Sequence, residues 1–224
     1  VEAGVSKVFV GIETPSNESL KGCGKKQNVG RNLMASVKKL QRSGLIVYGG
    51  FIIGFDEDSH RIFDDQINFI QKSGIVTAMV GLLTAVTGTR LFSRLKKENR
   101  LLESSTGDNM DGSLNFVPKM NYQKLIQGYK KVLTTIYSQK EYYYRVKTFL
   151  KEYKPPSLGS VVLISWNEIM AVLKSVWYLG ILEKGRIYYW KLMAYSLFRH
   201  PAKFPLAVTM AIYGFHFRRV IEVV

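Results

Sequence analysis

The sequence predicts an α/β fold: a parallel sheet built from about three βα units, followed by an α-helical tail. Three observations point there. Apolar, β-branched runs begin near residues 8, 45 and 75, and each is followed by a helical pattern. That spacing of roughly 30 to 37 residues is the repeat of parallel strands joined by helices, either doubly wound or barrel-like. The composition then changes half-way along the chain. Residues 1–112 hold 15 basic and 12 acidic side chains, whereas residues 113–224 hold 17 and 5. The second half also carries 21 of the 28 Phe, Tyr and Trp residues, including all three Trp. The expected organisation is residues 1–102 for the βα units, 103–121 for a polar, turn-rich loop or linker, and 122–224 for a basic, aromatic-rich helical region.

The first run, 7–12 (KVFVGI), reads as a strand that ends at Glu13-Thr14-Pro15. Asn28 is the expected cap of a helix reaching about Arg42, with Leu33, Val37 and Leu40 on one face and Gly44 past its end. Residues 45–55 (LIVYGGFIIGF) are continuously apolar, as expected of a strand covered on both faces. Asp58 or Ser59 should start the next helix, which turns Ile62, Phe63, Ile67 and Ile70 inward and is closed by Gly74. A third apolar run, 75–85, is followed by a Thr87-Gly88-Thr89 turn and a helix from Arg90 to about Glu98. In the tail, helices are expected over 122–137 and 140–153, stopped by Pro155-Pro156, and near 165–182, 185–199 and 202–219.

Composition bounds the chemistry. With 46% apolar residues the 224-residue chain can build a core, and its net charge is +15. The single cysteine, Cys23, permits no intrachain disulfide and suits a reducing compartment, so the expected location is cytoplasmic. The longest uncharged run near the end, 204–217, has 14 residues, against the ~20 that a membrane span needs. The chain has no initiator Met and no secretory pattern, and it reads as a piece of a longer protein. His60, His200 and His216 lack metal-ligand spacing, and no nucleophile–His–acid set, phosphate loop or zinc signature appears.

Parallel sheets place chemistry at the C-terminal ends of their strands. Residues 50–57 (GFIIGFDE) fit the pattern G-x-I-x-G-x-x-E. Gly50 and Gly54 would let a backbone or a flat ligand approach closely, Ile52 offers an apolar surface to a planar ring, and Glu57 can tie down the turn. The plainer alternative is a buried strand whose acidic loop caps the next helix. Glu13 puts a carboxylate at the first strand end, where a ribose hydroxyl could be held; the plainer alternative is a solvated acid. The third strand ends in Leu83-Thr84-Ala85.

In this order and spacing, the three strand ends resemble strands four to six of the six-stranded partial barrel of radical S-adenosylmethionine (SAM) enzymes. The resemblance continues through 65–71 (DQINFIQ), 107–111 (GDNMD), 114–119 (LNFVPK) and 212–217 (IYGFHF). It is closest to the C-terminal part of cobalamin-binding radical SAM proteins, the group that includes hopanoid methylases. The resemblance implies the C-terminal half of a partial TIM-like barrel with SAM lying across the strand ends. Glu13, with Thr14 beside it, would bind the SAM ribose or its amino-acid part. Gly50, Ile52 and Gly54 would flank the adenine, Glu57 would stabilise the strand exit, and Leu83 and Thr84 would meet the adenine from the last strand. No catalytic residue is implied within this chain.

The same resemblance implies a full-length parent that binds a 4Fe-4S cluster and cobalamin and generates a 5′-deoxyadenosyl radical. The parent would be an enzyme, either a methyltransferase or an oxidoreductase, and cobalamin-dependent methylation of a hydrophobic substrate is one reaction the resemblance implies for it. The cluster's C-x-x-x-C-x-x-C loop is absent, and Cys23 alone cannot hold a cluster. The implied partners are the missing N-terminal barrel half and a cobalamin domain. The basic, aromatic tail has three readings: a helical layer packed on the sheet, a surface for an anionic membrane or lipid-like substrate at the inner membrane face, or nucleic-acid binding. No reader motif supports the last. A rival from another class is a non-catalytic barrel remnant serving as a membrane-surface or scaffold domain.

Overall fold

A computed structural model of the chain describes residues 4–102, 114–155 and 166–222. The 107–111 segment and most of the expected linker lie outside the described residues. Three parallel strands, β1 (Lys7–Glu13), β2 (Ile46–Ile53) and β3 (Thr77–Leu82), form a sheet in the order β1-β2-β3. They are joined by α1 (Asn17–Gly22), a short 3₁₀ turn at Lys26–Asn28, α2 (Leu33–Arg42) and α3 (Ile62–Ser73). Then come α4 (Arg90–Lys97), α5 (Tyr122–Ile136), α6 (Gln139–Glu152), α7 (Trp166–Ser175), α8 (Arg186–Arg199) and α9 (Phe204–Ile221). The helix α7 widens into π-helical turns over Val176–Leu182.

The expected α/β architecture is present, and Gly44 and Gly74 end their helices in left-handed conformation at φ 89° and 70°. Two helix starts differ, and one short helix is additional. The second helix is capped by Asn32, whose side chain accepts from the Ala35 N–H at 3.0 Å, and not by Asn28. Gly30, at φ 72°, turns the chain out of any helix begun at Asn28. The third helix starts at Ile62 without a side-chain cap, because Asp58 is engaged elsewhere. Six-residue α1 has too short an apolar period to be read from sequence; Ser16 caps it by accepting from the Ser19 N–H.

Among the described residues the sheet is covered on one face only, which differs from the expectation for β2. Ile12, Val47, Phe51, Ile53, Ala78, Val80 and Leu82 are buried in the core that α2, α3 and α5 share. On the other face Phe9 is 62% exposed and lies across Gly50, and Met79, paired with Gly50, is 45% exposed.

The two edges of the sheet also differ. Tyr137 Oη accepts from the Ala78 N–H at 3.1 Å and donates to the Ala78 carbonyl at 2.8 Å. The Asn115 amide repeats this pattern on Ala85, at 2.9 Å in both directions. Side chains thus complete the outer edge of β3, while among the described residues no strand pairs with the outer edge of β1.

The core runs without a break across the change in composition, from Ile12 to Ala211. Helices α5 and α6 both pack on α3. Arg145 is fully buried where the two halves meet. Its guanidinium lies 5.1 and 5.0 Å from the Tyr137 and Tyr142 ring centroids and donates to the Gln71 side chain and the Ile136 and Val76 carbonyls. Burial pulls its pKa down and the tyrosines oppose that, so the charge is kept by cation–π and hydrogen-bond contacts in place of water.

Candidate functional site

The C-terminal ends of the three strands open onto a cavity of about 520 Å³. Glu13, Ile52, Glu57 and Leu83 line it together, so three separate strand ends converge on one space. Thr14, Gly50, Gly54 and Thr84 do not line it. Thr14 is buried behind β1, and its Oγ1 accepts from the Ser16 N–H. Gly50 sits beneath Phe9 on the exposed sheet face. Gly54, at φ 109°, makes the turn out of β2, a conformation that favours glycine. Thr84 is half-buried, with its hydroxyl on the Leu82 carbonyl.

Glu13 adopts φ 66°, the left-handed region that a non-glycine residue enters at a cost. It is the middle of a three-residue turn in which the Thr14 N–H donates to the Ile12 carbonyl at 2.9 Å. The pairing register with β2 shifts at the same place. The bare α-carbon of Gly11 leaves room for the carboxylate to fold back, since a Cβ there would lie 2.7 Å from Glu13 Oε1. The same oxygen meets Lys25 Nζ at 2.9 Å.

The acidic turn after β2 divides its work among three carboxylates. Asp58 accepts from the Gly54 and Phe55 N–H groups at 2.9 and 3.0 Å and from the Ser19 hydroxyl at 2.7 Å. The tie at the strand exit, expected of Glu57, therefore belongs to Asp58. Burial pushes its carboxyl up, opposed by these donors. Asp56 turns the other way, toward Arg100 and Arg94, and the Arg100 hydrogen bonds hold its carboxyl below the usual range. Glu57 remains exposed, its carboxylate packed against Gly22. Ile52 is held from behind by buried Gln66, whose amide donates to the Ile52 carbonyl at 2.8 Å.

Sequence reasoning missed Lys21, Lys25, Asp56, Arg90 and Arg94, all of which line the cavity. They come from short α1, the loop after it, the strand exit and α4, and the clearest available signal was the basic helix that follows the Thr87-Gly88-Thr89 turn. Cys23 also lines the cavity as an exposed free thiol, its proton on the Leu20 carbonyl and its pKa raised first by burial. Among the described residues no group of three or more His, Cys, Asp or Glu could hold a metal ion.

A family model described as a domain of unknown function, DUF4070, matches residues 89–224, from the cap of α4 to the end of the tail. The chain belongs to the DUF4070 family. The chain is 33% identical over its whole length to the uncharacterized methyltransferase sll1242 of Synechocystis sp., covering 42% of that protein. It is 27% identical to the hopanoid C-2 methylase of Rhodopseudomonas palustris, over 88% of this chain and 38% of the relative. It is 29% identical to the bacteriochlorophyllide d C-12(1)-methyltransferase of Chlorobaculum tepidum, over 60% of this chain and 29% of the relative. This DUF4070 chain thus falls with the hopanoid-methylase-like group of cobalamin-binding radical SAM proteins. It spans about two fifths of the length of the first two relatives.

Proposed function

We propose that this chain supplies one wall of the SAM site in a methyltransferase of the cobalamin-binding radical SAM type. The observation that carries the reading is the convergence of Glu13, Ile52, Glu57 and Leu83, from three strand ends, on one cavity. Its volume falls in the range of small-molecule sites. The lining suits the chemistry of SAM. Glu13, preset by its strained turn, is an acceptor for ribose hydroxyls or the amino group. Ile52, Phe55 and Leu83 give a planar base an apolar surface, and Arg90 and Lys21 bring positive charge for a carboxylate.

The rest of the protein would complete the site as the other half of a partial barrel, continuing the sheet at the β1 edge. The uncovered face with Phe9, Gly50 and Met79 would then line its interior. Bound SAM supplies the methyl group and the radical chemistry. This chain's residues do not fit the 4Fe-4S cluster, since it has one cysteine, and none is assigned to cobalamin. Those groups belong to the parent.

Equilibrium SAM binding to the full-length parent tests the proposal. Glu13→Gln should weaken binding about tenfold or more, the loss expected for one charge-assisted hydrogen bond. Unchanged affinity in that variant would remove Glu13 from the site, and unchanged affinity in Leu83→Ala as well would refute the reading.

A further inference from the structure

Large apolar side chains are exposed in a row on the hairpin formed by α7, its π-helical extension and α8. Trp166, Ile169, Leu173 and Trp177 recur at helical spacing along one face. On α8, Ile187, Trp190, Leu197 and Phe198 do the same, with Trp166 72% and Phe198 81% exposed. The Trp190 indole N–H donates to the Gly180 carbonyl at 2.9 Å, which joins the two rows into one surface. Single exposed apolar residues need no explanation, whereas a continuous aromatic row marks an interaction site.

The charges around the row narrow the occupant. Residues 166–199 hold five basic side chains, Lys174, Lys184, Arg186, Lys191 and Arg199, against Glu168 and Glu183. All five cations are exposed. Glu183 is engaged away from them, accepting from Gln139 Nε2 at 3.1 Å and facing Arg219 at 3.9 Å. A twofold interface with a second copy would bring two sets of cations together. The hairpin packs chiefly on α6 and α9, so the open β1 edge is not its neighbour. No described helix is long and apolar enough to cross a membrane. Exposed Trp and Phe beside Lys and Arg, on helices too short to span, match helices lying in a lipid interface.

We propose that the α7–α8 hairpin docks flat on an anionic lipid bilayer, with Trp166, Trp177, Trp190 and Phe198 in the headgroup boundary and the five cations on lipid phosphates. This rests on the tail alone and is independent of the SAM reading. The test is flotation of the full chain with phosphatidylcholine vesicles, with and without phosphatidylglycerol. The chain should float with the anionic vesicles, and Phe198→Glu should abolish this without changing the thermal melt.

Neutralising Lys184, Arg186 and Lys191 to Gln together should weaken partitioning about a hundredfold, at roughly fivefold per charge. No flotation with anionic vesicles, or flotation indifferent to both sets of substitutions, would overturn the proposal. So would light scattering that shows a dimer which Phe198→Glu converts to a monomer, because the face would then be a protein interface.

Discussion

Arg100 grips Asp56 with two hydrogen bonds, Nη2 to Oδ1 at 2.7 Å and Nη1 to Oδ2 at 3.0 Å, and so pins the segment after α4 to the exit of β2. Arg94 adds a third at 2.9 Å, and the Asp56 side chain is almost wholly covered. The same contact lowers the Asp56 pKa and raises that of Arg100.

Asp56→Ala should therefore destabilise the fold by about 1–3 kcal/mol, since it leaves Arg100 to the Glu98 carboxylate and the Val117 carbonyl. The Asp56 contribution is complete above the ordinary carboxylate value of about 3.9 and is lost as pH falls through the depressed folded value. Two residues on, burial raises Asp58, so its contribution has the opposite slope: full below about 3.9 and lost as pH rises through the raised folded value. Asp58→Asn keeps an acceptor for the Gly54 and Phe55 N–H groups and should flatten that second slope. Urea unfolding followed across pH separates the two; parallel slopes for both variants would contradict the assignment.

Glu13→Gly should leave the chain as stable as before or up to about 1 kcal/mol more stable. It relieves a left-handed residue and gives up a partly exposed ion pair, with the Lys25 side chain 39% and that of Glu13 15% exposed. The same substitution should weaken SAM binding in the parent. Opposite effects on stability and binding are expected of strain kept for a site, and a large loss of stability would show that Glu13 holds the strand end together.

Helices α3 and α5 approach through Gly128, where an added Cβ would run into the Phe63 ring. Gly128→Ala should cost about 1–3 kcal/mol, the range for overpacking a close contact. Pairing it with Phe63→Leu should recover part of the loss. Denaturation midpoints of the two single variants and the double variant check this.

Phe9 lies exposed over Gly50 from β1, whose outer edge no described strand pairs, a combination that invites edge-to-edge association. Phe9→Lys should lower aggregation of the isolated chain at unchanged melting temperature. Light scattering at matched concentrations is the measurement, and an unchanged aggregation rate would place the sticky surface elsewhere.

Much of the fold was legible in the sequence because it rests on local chemistry. Apolar runs of β-branched residues marked all three strands, and Gly44 and Gly74 marked two helix ends. The tail helices fall close to the expected positions, since Tyr, Leu and Val recur along them with helical period. The strand-end positions of Glu13, Ile52, Glu57 and Leu83 followed from the same runs.

Other features depend on partners far away in the chain. Short α1 is steadied by Ser19 against Asp58, 39 residues on, and Asp56 finds Arg94 and Arg100 at separations of 38 and 44. The sequence by itself determined where the strands run and that carboxylates stand at the ends of the first two. Only the tertiary structure decided which carboxylate ties the backbone, which one holds arginines, and that Asp56 lines the cavity beside Glu13 and Glu57. Each of those choices is settled by the nearest donor in space, and a period of two or of 3.6 residues carries no information about that.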